Sequence, residues 1–221
     1  MDVYEAVGSR RAVRAFRDEP VSRQVLERVL AGASRAPSSG NLQPWRVFVV
    51  SGVPLAELKK DAIARARAGD VGDPRQYPMY PELVPPYLER FSAAATQRYE
   101  ALGVQRDDPD RPMKISALNA AAFGAPVVLF CYLDPTMGPG QWADAGMYLQ
   151  TVMLLLRAED LHSCPQVMWT QYWTTVNKAV GVDDRMVLLC GLAVGHEDAD
   201  APPIHTDRAN LAEIVMFIGE A

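Results

Sequence analysis

Residues 37–45, Pro-Ser-Ser-Gly-Asn-Leu-Gln-Pro-Trp, carry no charge but gather hydroxyls, carboxamides and backbone N–H groups into one short stretch. Ser38, Ser39, Asn41 and Gln43 offer donors and acceptors without net charge, which suits a flat, neutral, heteroatom-edged ligand better than an ion. The complement lies upstream. Arg10, Arg11, Arg14 and Arg17 fall within eight residues of a chain whose formal net charge is −5, and a guanidinium fork matches phosphate oxygens. A cationic cluster and a polar rim would together suit a nucleotide-like cofactor. Each feature also has an ordinary reading. Arginines form solvated basic faces, which is the expectation for Arg17; Ser and Asn side chains satisfy local turns, and Trp45 packs. Arg10, Arg11 and Arg14 lie among Gly8, Ala12, Val13 and Ala15, small or apolar neighbours that allow close packing.

The elements that must hold these residues are legible in the pattern. A short helix over 3–9 precedes the arginines; if 10–16 is helical as well, Arg10 and Arg14 share a face. Ser22 caps a helix through 36 with Val25, Leu26, Val29, Leu30 and Ala33 as its apolar stripe, and Pro37 stops it. Residues 45–51 read as a buried strand, and Pro54 opens a helix to about 68. Helices are expected over 113–123 and 169–180, and strands over 127–133 and 186–194, with a turn around Cys164-Pro165. The 141–160 helix is apolar nearly all round and needs burial on several sides, as at a domain centre or a subunit interface. Residues 69–112 are irregular around a helix over 87–102, and read as a lid-like insertion within one domain spanning 1–221.

Bulk properties bound the answer. A chain of 221 residues suits one sizeable domain burying about 70% of its unfolded surface. The acidic balance argues against nucleic acid, and no run approaches the ~20 apolar residues of a membrane span. Cys131, Cys164 and Cys190 are odd in number and unpaired in spacing, and no signal-like start is visible, so a reducing cytoplasm is expected. His162, His196 and His205 lack metal-ligand spacing, so no metal is expected. No Gly-x-Gly-x-x-Gly follows a strand, and there is no Walker loop, Gly-x-Ser-x-Gly elbow or His-Glu-x-x-His.

The Ser9-Arg10-Arg11-Ala12-Val13-Arg14-Ala15-Phe16 segment and the 37–45 loop, with Cys164-Pro165-Gln166 and with Arg208 ahead of Leu211 and Glu213, together resemble the FMN-dependent nitroreductase family. The resemblance covers nearly the whole chain except 69–112. It implies an α+β fold, a three-layer α-β-α sandwich with a mixed central sheet, in an intertwined homodimer with FMN at the interface. Arg10 and Arg208 would grip the FMN phosphate with Arg11 nearby, and Arg14 would face the ribityl chain or the N1–O2 pole. Ser38, Ser39, Asn41 and Gln43 would edge the ring, often from the neighbouring subunit, while Pro165 and Gln166 would pack beside it. Ala12 departs from the usual Ser, and Val167-Met168 from the usual Glu-Gly.

The activity so implied is a ping-pong oxidoreductase taking hydride from NADPH or NADH and reducing nitroaromatics, quinones or similar acceptors, with no protein group required as a catalytic nucleophile or acid. Tyr77, Tyr80, Tyr87 and Phe91 of the insertion would line the acceptor pocket or simply pack the lid. Two alternatives stand beside it: the same flavin fold running dehalogenation, flavin fragmentation or substrate oxidation, and a non-catalytic FMN-binding protein.

Overall fold

Four strands, β1 (Arg46–Ser51), β2 (Val127–Leu133), β3 (His162–Gln166) and β4 (Val187–Gly195), make one sheet in the order β1-β2-β4-β3. The computed structural model describes residues 1–105 and 107–219 of the chain; within the insertion, Arg106 lies outside the described residues. Every residue of β2 is buried, so this strand must be covered on both faces, and the alternation of side chains sets what covers it. Val128, Phe130 and Tyr132 meet Leu55, Leu58 and Ala62 of α3 (Gly52–Arg67), Ala120 of α5 (Arg111–Ala120) and Val176 of α7 (Trp173–Val180). Val127 and Leu129 meet Leu26, Val29 and Ala33 of α2 (Arg23–Ala33) and Tyr148, Val152 and Leu156 of α6 (Pro139–Ala158). The three-layer α-β-α sandwich follows directly from that two-sided burial.

The mixed sheet expected above is antiparallel in each of its ladders, with Phe48 opposite Phe130, Leu129 opposite Leu192 and Cys164 opposite Ala193. Its parallel component is an isolated bridge between Ala12 and Ser163. Other boundaries shift for local reasons. The opening helix α1 (Val3–Ser9) is closed by an Asp2–Glu5 capping box, but residues 10–16 are extended rather than helical, because Val13 N–H donates to Ser163 O at 3.0 Å and Phe16 bridges Glu197. Helix α2 ends at Ala33, ahead of Pro37. Strand β1 is an edge strand in which only Val50 is fully buried, rather than a buried strand. Cys164-Pro165 lies not in a turn but in β3, an edge where proline's missing N–H is tolerated.

The insertion divides into an anchored arm and an outlying helix. Arg65 on α3 pairs with Asp70 and Asp73 and lies over the Tyr172 ring. Asp73 accepts from Thr174 N–H and Oγ1, the Trp173 indole donates to Pro74 O, and Gln76 bridges Met186 O and Leu188 N–H. Beyond this arm, α4 (Tyr87–Ala101) buries no residue fully. It ties instead to the tail around α8 (Leu211–Ile214) through Arg90–Glu213 and Gln97–Asp207.

At Gly191 of β4 a Cβ would stand 2.4 Å from Trp169 Cδ1, against the face of a fully buried indole. Gly191→Ala is therefore expected to destabilise the fold by about 1–3 kcal/mol, the usual cost of overpacking a core. Urea unfolding measures this; an unchanged midpoint would show that the indole is free to move.

Candidate functional site

The 37–45 loop is held in an unusual backbone conformation. Gly40, Asn41 and Gln43 all have positive φ, at 58°, 55° and 48°, and left-handed backbone in non-glycine residues is strained unless the surroundings impose it. Here the Ser38 hydroxyl accepts from Gln43 N–H at 3.0 Å, and the Gln43 amide donates to Asn41 O and Oδ1, both at 3.2 Å. Asp144, buried on α6, accepts from Ser39 N–H at 3.1 Å. The loop is thus pinned at its root while Ser39, Asn41, Leu42 and Gln43 stay exposed. Trp45 packs, stacking on Tyr148 with ring centroids 4.7 Å apart.

In the extended arginine segment, Arg11 and Arg14 go to different surroundings. Arg11 forms a tight hydrogen-bonded ion pair with Glu197, which also faces His162 Nε2 at 3.4 Å. Arg14 lines a cavity of about 440 Å³ whose wall includes Cys164, Pro165, Gln166 and Met168. Its guanidinium donates to Ala12 O at 3.2 Å and lies 5.9 Å from the Phe123 ring centroid. Burial pushes its pKa down, partly offset by Cys164, while the nearby charge of Arg98 adds to the push. Arg10 makes no side-chain hydrogen bond or ion pair among the described residues, and Arg17 is the exposed partner of Glu19 expected of a surface arginine.

Gln166 turns inward beneath this cavity rather than out from it. Its amide donates to Asn119 O at 2.8 Å and its carbonyl accepts from Trp169 Nε1 at 3.1 Å. Its role is to fix the wall carrying Pro165, which is exposed. Cys164 is buried beside Arg14, and burial raises its thiol pKa to about 11, so it packs as a small hydrophobe.

The insertion aromatics separate. Tyr80 lines the same cavity and meets the Phe91 ring edge-on at 5.4 Å, and Tyr87 is exposed. Tyr77 does not join them. Its hydroxyl donates to Leu189 O at 2.6 Å and its ring abuts Trp142, which is the lid-packing alternative. Arg208 lies in a separate groove between α4 and the tail, its guanidinium donating to Thr206 O and Oγ1 and Asp207 O. The structure therefore shows no contact between Arg208 and Arg10. Asp144, Asn119, Arg75 and Arg98 were not anticipated from sequence, since none lies in a motif of its own.

The Nitroreductase family profile matches residues 7–196. The chain belongs to that family. It is 30% identical over 221 residues to nitrobenzene nitroreductase of Ectopseudomonas oleovorans, covering 99% of this chain and 97% of that protein. It is 33% identical to nitroreductase NfnB of Mycolicibacterium smegmatis, covering 96% and 90%. Among solved structures, the FMN and NADPH-dependent nitroreductase NfnB from sphigopyxis sp. strain HMH superposes with a TM-score of 0.94 at 41% identity over 100% of both chains.

The Arg11–Glu197 cluster also sets a pH response. His162 accepts at Nδ1 from Glu197 N–H, so its ring proton lies on Nε2. Burial holds its pKa at about 4, below the ordinary 6.5; Arg157, Arg11 and His196 push the same way and Glu197 opposes them. Below pH 6.5 the unfolded chain takes a proton that the folded chain refuses, so this stability is present above 6.5 and lost as pH falls towards 4. His162→Gln should flatten the fall in unfolding midpoint across that window. A profile parallel to that of the unmodified protein would rule out His162 as its source.

Proposed function

We propose that this nitroreductase-family chain is an FMN-dependent NAD(P)H oxidoreductase that reduces nitroaromatics, quinones or similar electron-poor acceptors. The observation that carries the reading is the cavity walled by 164–168, free of acidic side chains among the described residues, with Arg14 charged and part-buried at its edge. The full-length likeness to the FMN and NADPH-dependent NfnB supports it. The donor set fits the cofactor. Arg10 has a guanidinium free to take up a phosphate, Arg14 offers one positive charge within the cavity, and the strained 37–43 loop presents carboxamides and hydroxyls to the outside.

When bound, FMN supplies the hydride-transfer chemistry of a ping-pong cycle. Arg14 would hold its charge against the N1–O2 pole of the ring, where burial strengthens its field. Arg10 and Arg208 would hold the phosphate, with Arg11 contributing through the backbone segment that Glu197 fixes. Ser38, Ser39, Asn41 and Gln43 would edge the ring from a second copy of the chain. Pro165 would pack beside it, and Gln166 would keep that wall in place through Asn119 and Trp169. Tyr80, Tyr87 and Phe91 would border the acceptor.

A homodimer is part of this reading. Met216, Phe217 and Ile218 are 85%, 77% and 94% exposed, and Met147 leaves the outer side of α6 uncovered. Apolar runs of that kind mark an interface. We read 1–221 as one domain with 69–112 as its lid. No helix of the described residues is long and apolar enough to cross a membrane, and the three buried free cysteines fit the cytoplasm.

Replacing Arg10 and Arg208 together by Ala should lower FMN affinity by about 10- to 100-fold, on the scale of losing charge-assisted hydrogen bonds. Fluorimetric FMN titration reads this, and equal affinity would remove the phosphate clamp. Anaerobic NADPH or NADH should bleach the flavoprotein and a nitroaromatic should restore its colour. Bound FMN that neither nucleotide bleaches would defeat the catalytic reading.

A further inference from the structure

The cavity that holds Arg14 carries more positive charge than a flavin ring would use. Arg75 and Arg98 line it as well, and among the described residues no carboxylate does. That arrangement is notable in a chain with 27 Asp and Glu against 22 Lys and Arg. Other arginines of the same region are matched: Arg65 by Asp70 and Asp73, Arg90 by Glu213. Arg98 donates to Tyr99 Oη at 3.2 Å, and its Nε is buried with no hydrogen-bond partner. Cations facing one another around a common space, with no acid between them, are stabilised by an anion from outside.

The chain around both extra arginines is anchored, and Arg98 itself lies over the Tyr99 ring, 4.9 Å from its centroid. Arg75 is flanked by Asp73, whose N–H donates to Gln171 O at 2.8 Å, and by Gln76, whose amide donates to Met186 O at 2.8 Å. Arg98 stands on α4 beside Gln97, which holds Asp207 at 2.9 Å. Groups carried on an anchored backbone lose less freedom when a ligand arrives. At about 440 Å³ the space lies in the lower part of the range of small-molecule pockets. It has room for an aromatic ring with its substituents.

We propose that Arg75 and Arg98 form an anion subsite selecting electron-poor aromatic acceptors that carry a carboxylate. The proposal rests on the flavoenzyme reading above and gives the 69–112 insertion a task in substrate choice. A carboxylate engages a guanidinium through two parallel hydrogen bonds, so each arginine orients as well as attracts. Ser116 and Asn119, both uncharged, line the same space.

The test compares 4-nitrobenzoate with nitrobenzene, a matched pair differing by the carboxylate, in kcat/KM assays of the holoenzyme and of Arg98→Gln, Arg75→Gln, the double variant and Arg98→Lys. Isothermal titration with benzoate, which is not a nitro acceptor, reads the subsite independently of turnover. The expected result is a preference for 4-nitrobenzoate that falls by about 10- to 100-fold in the double variant, the scale of a lost charge-assisted contact, and falls by less in Arg98→Lys, which keeps the charge but loses the paired hydrogen bonds. Nitrobenzene should change little, and benzoate binding should weaken in parallel. Equal loss for both acceptors, or benzoate binding unchanged in the double variant, overturns the proposal. So does a shift in NADPH over NADH preference with acceptor choice intact, which would make the anion a dinucleotide phosphate. If the unmodified protein reduces neither acceptor, the flavoenzyme reading fails, and benzoate titration still decides the subsite.

Discussion

The carboxamide of Gln166 is the joint on which the site depends. It links three elements that are distant in sequence: Asn119 at the end of α5, β3 itself, and Trp169 in the turn that follows. A buried amide that satisfies a donor on one side and an acceptor on the other is costly to break, because the group left behind is desolvated and unpaired. The wall carrying Cys164, Pro165 and Met168 is therefore fixed relative to both the sheet and one helical layer. Gly191 completes the joint by leaving out the Cβ that would occupy the indole's place. Rigidity here costs nothing to bind into, which is what a cavity for a planar ring requires.

The second constraint is strain held at the surface. Asn41 and Gln43 adopt left-handed backbone in a loop whose side chains face away from the core, and Asp144 spends a buried carboxylate on one backbone N–H of the same loop. Neither arrangement improves the packing of a single chain. Both make sense if the loop is shaped to meet something outside it, and the tail and α6 carry uncovered apolar residues as well. The pinned loop and the arginine-lined cavity are supported from opposite faces of the sheet: Asp144 on α6, and Asn119 on α5.

Much of this was legible in the sequence, and the reasons are particular. The 127–133 run is apolar throughout, and a strand buried on two faces needs no partner information to be recognised. The 37–45 loop stood out because an uncharged polar stretch between apolar elements is chemically distinctive. By contrast, 10–16 is extended because of Ser163 and Glu197, residues far along the chain, and a four-residue spacing says nothing about them. Gln166 was read as ligand-facing, yet its partners are neighbours only in three dimensions. Tyr77 looked like its sister tyrosines until Leu189 O and Trp142 claimed it. Arg75 and Arg98 lie in a segment without period or motif, so only the cavity they share gives them meaning.

The proposed flavin chemistry requires each flavin site to be built from two copies of this chain. Sedimentation of the purified protein, followed at the flavin's visible band and at the protein band together, tests it most directly. All bound flavin is expected to travel with a species of twice the 24.3 kDa chain mass and to leave it when the species dissociates. Flavin held stably by the single chain, or a colourless dimer that takes up no FMN, would contradict it.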